Sequence, residues 1–300
     1  MTHIRSAISI GFVVMNYDSW DLALRALNEA IRLETDSIQE YVLYDDGSST
    51  KPPPNIDSRI RLILGTPNLG YTRAVQAAFS HMRTDIVVLF DADAYPLEPF
   101  TARIRERFQA DERLGQLAFV SEDGHGARTE SFVGEPNQWS LLLGQRLYAV
   151  AGRIKKQPSS DMCVFSCCMA TRKAAYCQIQ GFDENFDFLD ADLDFSMRLR
   201  RQGWRIAADP QLRAVHVGGS WSQLQRERVL RFYKCRWYLL RKHDLIPNVR
   251  VARAIVLARL YWEMAVLKAF GAFLFRNPSV RSDKLLGRQK VISFCREHYN

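Results

Sequence analysis

The stretch Asp85-Ile86-Val87-Val88-Leu89-Phe90-Asp91-Ala92-Asp93-Ala94-Tyr95-Pro96 decides the expected fold. Its apolar run, Ile86–Phe90, predicts a strand buried on both faces, as in the middle of an α/β sheet. Two carboxylates, Asp91 and Asp93, follow where that strand should reach its carboxyl end. Open α/β sheets bind ligands at this edge, and carboxylates are preferred ligands of Mg²⁺ and Mn²⁺. A solvated acidic turn is the alternative.

Strands and helices alternate around this stretch. Apolar runs predict further strands at Ile8–Met15, Tyr41–Tyr44, Arg61–Leu64, Met162–Thr171, Trp204–Ala208 and Leu212–Val215. Helical spacing of apolar residues predicts helices after Ser19, up to about Met82, and after Asp190. The alternation favours a mostly parallel mixed sheet, flanked by helices, with right-handed crossovers.

The charge is unevenly distributed along a chain of ordinary globular composition. Of the 300 residues, 47% are hydrophobic and 25% are charged, so the chain can bury a sizeable core. Residues 198–300 hold 22 Lys and Arg against 6 Asp and Glu, or +16, and residues 1–197 hold the remaining 19 against 27, or −8. An acidic front therefore precedes a basic tail, which could meet an anionic membrane surface or nucleic acid.

The six cysteines form neither a Cys-x-x-Cys pair nor a metal-type spacing with histidine. Cys163, Cys167 and Cys168 lie in an apolar run and are expected to be buried thiols rather than zinc ligands. No signal peptide is evident at Met1–Ser6, so the reducing cytoplasm is the expected compartment.

The tail predicts long basic helices, of which Val251–Phe275 is long enough to suggest a membrane span. Four charged residues interrupt it, and each would cost about 2.5–3.5 kcal/mol at the bilayer centre on insertion scales. At about 100° per residue these charges share one half of the helix, and the apolar residues occupy the other. The charged set is Arg253, Arg259, Glu263 and Lys268, and the apolar set is Ile255, Trp262, Ala265, Ala269 and Phe273.

This pattern predicts an amphipathic helix lying on an anionic membrane surface. Packing on the rest of the chain, or a homodimer through the C-terminal helices, is the alternative. Nucleic acid is not an expected partner, because no recognised binding module accompanies the charge.

Seven short motifs follow one another between residues 8 and 221. They are Val13-Val14-Met15-Asn16-Tyr17-Asp18, Tyr44-Asp45-Asp46-Gly47-Ser48, Asn68-Leu69-Gly70, Leu89-Phe90-Asp91-Ala92-Asp93, Gly181-Phe182-Asp183-Glu184, Asp192-x-Asp194-x3-Arg198 and His216-x3-Ser220. Each is weak alone, but their order and spacing resemble the inverting family 2 glycosyltransferases, which have the GT-A fold. The Asn-Tyr start is similar to a subgroup that includes many rhamnosyltransferases of surface polysaccharide assembly.

The resemblance implies a Rossmann-like GT-A catalytic domain over residues 1–221. Residues 1–96 would form its nucleotide-sugar-binding half and residues 97–221 its acceptor half. A basic amphipathic helical extension would occupy residues 222–300.

The resemblance also implies a UDP-, dTDP- or GDP-linked sugar donor. Tyr17 offers a ring face, and Asp45 or Asp46 can accept a hydrogen bond from the base or ribose. The expected donor site further includes Asn68, Gly70, Arg73 and Asp91. Gly70 lets the backbone approach a ligand closely because it has no Cβ, and Arg73 would reach the base or a phosphate. A plain turn at Asp45-Asp46 and a solvated Arg73 are the alternatives.

A divalent metal, Mg²⁺ or Mn²⁺, is implied at the Asp91-Ala92-Asp93 segment. Asp93 is the stronger candidate ligand, and Asp91 would be shared with the ribose. His216, at a predicted strand end near the same edge, is a third candidate ligand or a phosphate hydrogen-bond donor, and a structural role is its alternative. The metal would offset charge on the departing nucleoside diphosphate.

Inverting transfer needs a carboxylate that takes the proton from the acceptor hydroxyl. The family places this base in a Glu-Asp pair after the Gly-Phe-Asp-Glu turn, and counting along the chain gives Asp192. Ala191 stands where the Glu is expected, and Asp190 precedes it, so Asp190 is the alternative base. Asp194 is expected to form a structural ion pair, with Arg198 or Arg201 within helical reach, or to cap the helix.

The predicted protein is a cytoplasmic enzyme, peripheral at the inner face of the membrane, that transfers sugar to a glycan or lipid-linked acceptor. Two other classes stay open. The missing Glu suggests a non-catalytic nucleotide-sugar-binding scaffold. A sugar-phosphate nucleotidyltransferase also uses an α/β sheet and a metal, but no Gly-rich, Arg/Lys-bearing loop follows the first predicted strand.

Overall fold

The computed structural model describes residues 8–34, 37–129, 131–144, 147–148, 161–218 and 225–299. The described residues divide into two compact units, one within Met1–Glu135 and Pro158–Ser220 and the other within Pro136–Gln157 and Trp221–Asn300. Ser220, the last residue of the His216-x3-Ser220 motif, lies outside the described residues. The predicted donor and acceptor halves stay predictions.

The first unit alternates strands and helices. Its strands are β1 (Ile10–Asn16), β2 (Glu40–Asp45), β3 (Ile60–Leu64), β4 (Ile86–Asp91), β5 (Ala94–Pro96), β6 (Leu114–Glu122), β7 (Phe132–Gly134), β8 (Met162–Val164), β9 (Cys168–Arg172) and β10 (Arg205–His216). The helices are α1 (Trp20–Leu33), α2 (Tyr71–His81), α3 (Thr101–Ala110), α4 (Gln138–Leu142, in the second unit), α5 (Lys173–Gln178) and α6 (Ala191–Arg201).

Eight strands form one mixed sheet in the order β3-β2-β1-β4-β9-β6-β10-β5. Strands β3, β2, β1 and β4 are parallel, and β6 is parallel to β10. Strand β9 is antiparallel to both β4 and β6, and β5 is antiparallel to β10. Strand β1 is buried throughout, and in β4 only the terminal Asp91 is partly exposed. The predicted mostly parallel mixed sheet, with the Ile86–Phe90 strand inside it, is confirmed.

Two strand predictions were wrong. Met162–Thr171 is not one strand, because β8 pairs with β7 in a separate two-stranded sheet and β9 enters the large sheet. Between β8 and β9, the Ser166 N–H donates to the Asp192 side chain instead of to a strand, and the Cys167 carbonyl oxygen accepts from the Asp91 N–H at the end of β4. The strands predicted at Trp204–Ala208 and Leu212–Val215 are one strand, β10. Its pairing with β6 shifts register between Asp209 and Arg213 and then continues.

The second unit is helical. It contains α4, α7 (Gln225–Lys242), α8 (Val249–Leu274) and α9 (Pro278–His298), so the predicted long C-terminal helices are confirmed. Asn248 and Asn277 begin α8 and α9 with side-chain oxygens that accept backbone N–H groups. The rings of Trp237 and Tyr299 stack at 3.6 Å between α7 and the end of α9. None of the described helices combines the length and hydropathy that crossing a membrane requires.

The predicted ion pair of Asp194 is confirmed. Its carboxylate is fully buried and lies 2.6 Å from Arg198 Nε, one helical turn later. The two other nitrogens of the guanidinium donate to the carbonyl oxygens of Ile179 and Gly181, each at 2.6 Å. Arg198 thus ties α6 to the turn that precedes it.

We expect Arg198→Ala to lower the free energy of unfolding by about 3 kcal/mol, because it takes this partner from a buried carboxylate. Urea denaturation measures the change. Arg205→Ala is the control, since the Arg205–Asp111 pair is more exposed and its loss should cost less than about 1 kcal/mol. Equal losses in the two variants would contradict the prediction.

Candidate functional site

Polar side chains collect where the strands of the large sheet end. Asn16 ends β1, Asp45 ends β2 and Asp91 ends β4, and these strands run in parallel. His216 ends β10, which runs in the same direction because β9 is antiparallel to both β4 and β6. The sheet topology therefore brings the ligand candidates named from the sequence to one edge.

Asp45 and Asp46 hold the protein's own loops together. Asp45 accepts hydrogen bonds from Asn16 Nδ2 at 2.7 Å and from the Ser48 N–H at 3.0 Å. Asp46 accepts from the backbone N–H groups of Leu69 and Gly70, at 2.8 and 3.0 Å. Burial raises the pKa of Asp46, and these two N–H groups oppose that shift.

Both acids therefore have a structural role that the sequence analysis did not predict. Asn68 joins the same network, since its Nδ2 donates to the Asp46 carbonyl oxygen at 2.9 Å. The involvement of Asp45, Asp46 and Asn68 in nucleotide binding stays a prediction.

The other donor-side candidates are accessible. Gly70 precedes α2 with φ at 79°, a left-handed conformation that favours glycine, and no atom lies within 4 Å of a Cβ built there. Tyr17 is 39% exposed just beyond β1. Arg73, on α2, lies 3.3 Å from Glu184 in an exposed ion pair. Such pairs contribute at most about 1 kcal/mol, so Arg73 can exchange partners at little cost.

Asp91, Asp93 and His216 form a candidate metal site. Each offers one ligand atom, and these atoms all lie within 4.8 Å of one another. His216 Nε2 is 3.5 Å from Asp93 Oδ1, because β10 pairs His216 with Ala94, the residue after Asp93. Within the part of the chain that the structure describes, this is the only group of His, Cys, Asp or Glu side chains with such spacing.

The electrostatics of this cluster suit a cation. Burial and the neighbouring Asp93 carboxylate raise the pKa of Asp91 to about 6. Hydrogen bonds to Asp93 and to the Cys167 thiol raise the pKa of His216 to about 11. The two carboxylates are thus crowded around a protonated imidazole, whose proton a divalent ion would displace. Two oxygens and one nitrogen are a donor set that Mn²⁺ or Mg²⁺ accepts.

Asp190 and Asp192 lie at the start of α6. Asp192 accepts hydrogen bonds from the Ser166 N–H at 3.2 Å and from the Leu193 N–H at 2.9 Å. Burial and the nearby Asp190 raise the pKa of Asp192 to about 7, which suits a group that exchanges protons near neutral pH. Ala191 is 1% exposed, so the residue in place of the expected Glu belongs to the core.

Two further residues of the site, Tyr71 and Ser166, were not predicted from the sequence. The Tyr71 hydroxyl lies 2.9 Å from Asp91 Oδ1 and 2.9 Å from Ser166 Oγ. Because the Ser166 N–H binds Asp192, two residues link the metal-site carboxylate Asp91 to Asp192. A sequence signal for Ser166 existed, since it is the polar interruption of the apolar run Met162–Thr171.

We expect Tyr71→Phe to weaken Mn²⁺ binding at neutral pH by about tenfold or more. The variant removes a hydrogen bond to a charged group, worth about 1.5–3 kcal/mol, while keeping the ring. Titration calorimetry with Mn²⁺ measures the affinity. Tyr41→Phe is the matched control, because its buried hydroxyl donates to the Glu34 carbonyl oxygen and not to a candidate metal ligand. Unchanged affinity in Tyr71→Phe would show that this hydroxyl does not position Asp91.

The sequence matches the family described as Glycosyl transferase family 2 over residues 11–178. That range includes Asp91 and Asp93 but ends before Asp192 and His216. No curated protein matches the chain.

Solved glycosyltransferase structures share the fold. The mannosyltransferase PcManGT from Pyrobaculum calidifontis, in complex with GDP-Man and Mn²⁺, has a TM-score of 0.57 at 17% identity, over 96% of this chain and 88% of that one. GalNAc-T7 with UDP, GalNAc and Mn²⁺ has a TM-score of 0.55 at 12% identity, over 79% of this chain and 48% of that one. TarS from S. aureus has a TM-score of 0.54 at 14% identity, over 84% of this chain and 42% of that one. The predicted GT-A fold is confirmed.

Proposed function

We propose, from the premise that the chain belongs to glycosyl transferase family 2, that it transfers a sugar with inversion to a hydroxyl group. Family membership makes the protein a glycosyltransferase that uses a nucleotide sugar, rather than a scaffold or a nucleotidyltransferase. The observation that carries the inverting mechanism is Asp192, a half-buried carboxyl with its pKa raised to about 7. Tyr71 and Ser166 connect it to the candidate metal site.

Asp192 acts as the general base in this proposal. Its carboxylate takes the proton from the acceptor hydroxyl while that oxygen attacks the anomeric carbon. The new carbon–oxygen bond forms opposite the bond to the diphosphate, which breaks, so the configuration inverts. Asp190 supports this role because its negative charge raises the pKa of Asp192 towards neutrality.

The donor binds at the β1–β2–β4 edge. Asp91, Asp93 and His216 would hold Mg²⁺ or Mn²⁺, which supplies Lewis-acid stabilisation of the departing nucleoside diphosphate when bound. Asp91 also contacts the ribose. The remaining donor contacts are Tyr17, Asp45, Asp46, Asn68, Gly70 and Arg73. The donor we propose is a UDP-, dTDP- or GDP-linked sugar; PcManGT was solved with GDP-Man and GalNAc-T7 with UDP.

The acceptor class we propose is a lipid-linked glycan or a growing surface polysaccharide, as in the rhamnosyltransferase-like subgroup suggested by Asn16-Tyr17. The protein would work at the cytoplasmic face of a membrane. Support comes from the charge of residues 222–300, which hold 17 Lys and Arg against 5 Asp and Glu, or +12. A homodimer through the C-terminal helices is the rival partnership.

We expect Asp192→Asn to lower kcat by about 10²–10⁴-fold with little change in donor KM, because an amide cannot accept the proton. Steady-state assays with the nucleotide sugar and acceptor measure both constants. Asp190→Asn is the matched comparison and should retain transfer. Loss of transfer in Asp190→Asn, but not in Asp192→Asn, would assign the base to Asp190 instead.

The pH dependence of transfer gives a separate prediction. Asp192 must be ionised to act, so kcat of the wild type should rise as pH increases through about 7, the pKa of Asp192. Asp190→Asn removes a neighbouring negative charge, which lowers that pKa, and the rise should move to lower pH. A profile that stays in place in Asp190→Asn would contradict this coupling.

Removing the metal should abolish transfer. We expect EDTA to reduce the rate to background and Mn²⁺ or Mg²⁺ to restore it, and Asp93→Asn to require a higher metal concentration. Asp57→Asn is the control, since Asp57 is paired with Arg59 outside the cluster. Transfer that persists in EDTA would remove the role given to Asp93.

A further inference from the structure

Helix α8 buries one apolar side and exposes another. Residues recurring at intervals of three and four form one exposed stripe along it, consisting of Val251, Ala254, Ile255, Ala258, Trp262, Ala265, Ala269 and Phe273. Trp262 is 67% exposed and Phe273 is 89% exposed. At 1.5 Å per residue the stripe extends about 33 Å. We call this set the α8 stripe.

Most of the charged side of α8 is satisfied inside the helical unit. Arg259 pairs with Glu263 and donates to the Tyr233 hydroxyl of α7. Glu263 also lies 3.1 Å from Arg288 Nε of α9. Arg253 donates to the Arg296 carbonyl oxygen at 2.6 Å. Three of the four charges that interrupt the apolar sequence therefore hold the helices together.

Helix α8 is thus apolar on two sides, since Ala252, Val256, Leu260 and Leu267 are buried while the α8 stripe is exposed. A surface helix of a globular protein buries its apolar stripe and presents its charged side to water. Contiguous exposed apolar patches are uncommon on soluble proteins and mark surfaces that bind a partner or a membrane. The α8 stripe, with Trp262 and Phe273 exposed, has the character of such a surface.

The charge of the C-terminal residues favours a membrane over a second copy of the chain as the partner of this surface. Residues 222–300 have a net charge of +12. The same charge on a second copy would repel it, whereas anionic lipid headgroups would attract it. Arg250 and Lys268 are exposed and lie on one flank of the stripe by helical spacing, and the exposed Arg276 follows the helix. Tryptophan is also enriched at membrane–water interfaces.

We propose that the α8 stripe docks on the surface of an anionic bilayer. The helix lies in the plane of the interface, with the apolar side chains entering the headgroup–acyl boundary and Arg250, Lys268 and Arg276 contacting headgroups. This deepens the membrane location given above, which rested on net charge and on the periodicity of Val251–Phe275, by assigning the contact to the exposed side of α8. It rests on that proposed location and not on the assignment of Asp192.

Co-sedimentation of the full chain with vesicles tests the proposal. We expect the wild type to bind phosphatidylcholine–phosphatidylglycerol vesicles more tightly than pure phosphatidylcholine vesicles. The double variant Trp262→Ser/Phe273→Ser should lose about tenfold or more in the partition coefficient, because two aromatic side chains no longer enter the interface. Leu286→Ser, at an exposed apolar position of α9, is the control and should bind like the wild type.

Three results would overturn the proposal: no vesicle binding by the wild type, wild-type binding by the double variant, or equal loss in Leu286→Ser. Sedimentation velocity without vesicles tests whether a second copy of the chain occupies the stripe instead. A wild-type dimer that becomes monomeric in the double variant would make the stripe an interface between copies. Both substituted positions are exposed, so the thermal midpoint should be retained. Donor hydrolysis by the double variant should equal that of the wild type, and its absence from both proteins would count against the proposed transferase mechanism, not against the stripe.

Discussion

The crowding of carboxylates at one edge of the sheet is the constraint on which the candidate site depends. Asp91 lies beside Asp93, and Asp192 lies beside Asp190, in surroundings that disfavour charge. Burial and the neighbouring acid raise the pKa of Asp91 to about 6 and that of Asp192 to about 7. The first pair is next to an imidazole and can be neutralised by a cation. In the second pair, burial and the charge of Asp190 favour proton uptake by Asp192 instead.

Strand β9 is what joins these two acidic pairs. It lies between β4 and β6 and runs against both, so the residues before it return to the edge where β4 ends. There the Cys167 carbonyl oxygen accepts from the Asp91 N–H at 3.0 Å, and the Ser166 N–H reaches Asp192. A single continuous strand over Met162–Thr171 would leave no such turn. The break that the sequence analysis missed is therefore the connection between the donor side and the proposed base.

Features set by local sequence were predictable, and features set by strand order were not. The Ile86–Phe90 strand follows from an apolar run, and the Asp194–Arg198 pair follows from one turn of helix. The contact between Tyr71 and Ser166 joins residues 95 positions apart, and it depends on β9 being inserted beside β4. Likewise, Asp45 and Asp46 were predicted from their place at a strand end, but their bonds to Ser48 and Gly70 depend on how the loops fold back.

The orientation of helix α8 is another feature that local sequence did not predict. Periodicity divides its charged and apolar sides correctly, but periodicity does not determine which side faces inward. Partly burying Arg259 and Glu263 is tolerable because Tyr233 and Arg288 supply hydrogen bonds and opposite charge. Buried charges without such partners would be strongly destabilising. Because Ala252, Val256, Leu260 and Leu267 are also buried, the α8 stripe is the side left exposed. The charges that argue against a membrane-spanning helix thereby orient it as a helix whose apolar face can meet a bilayer surface.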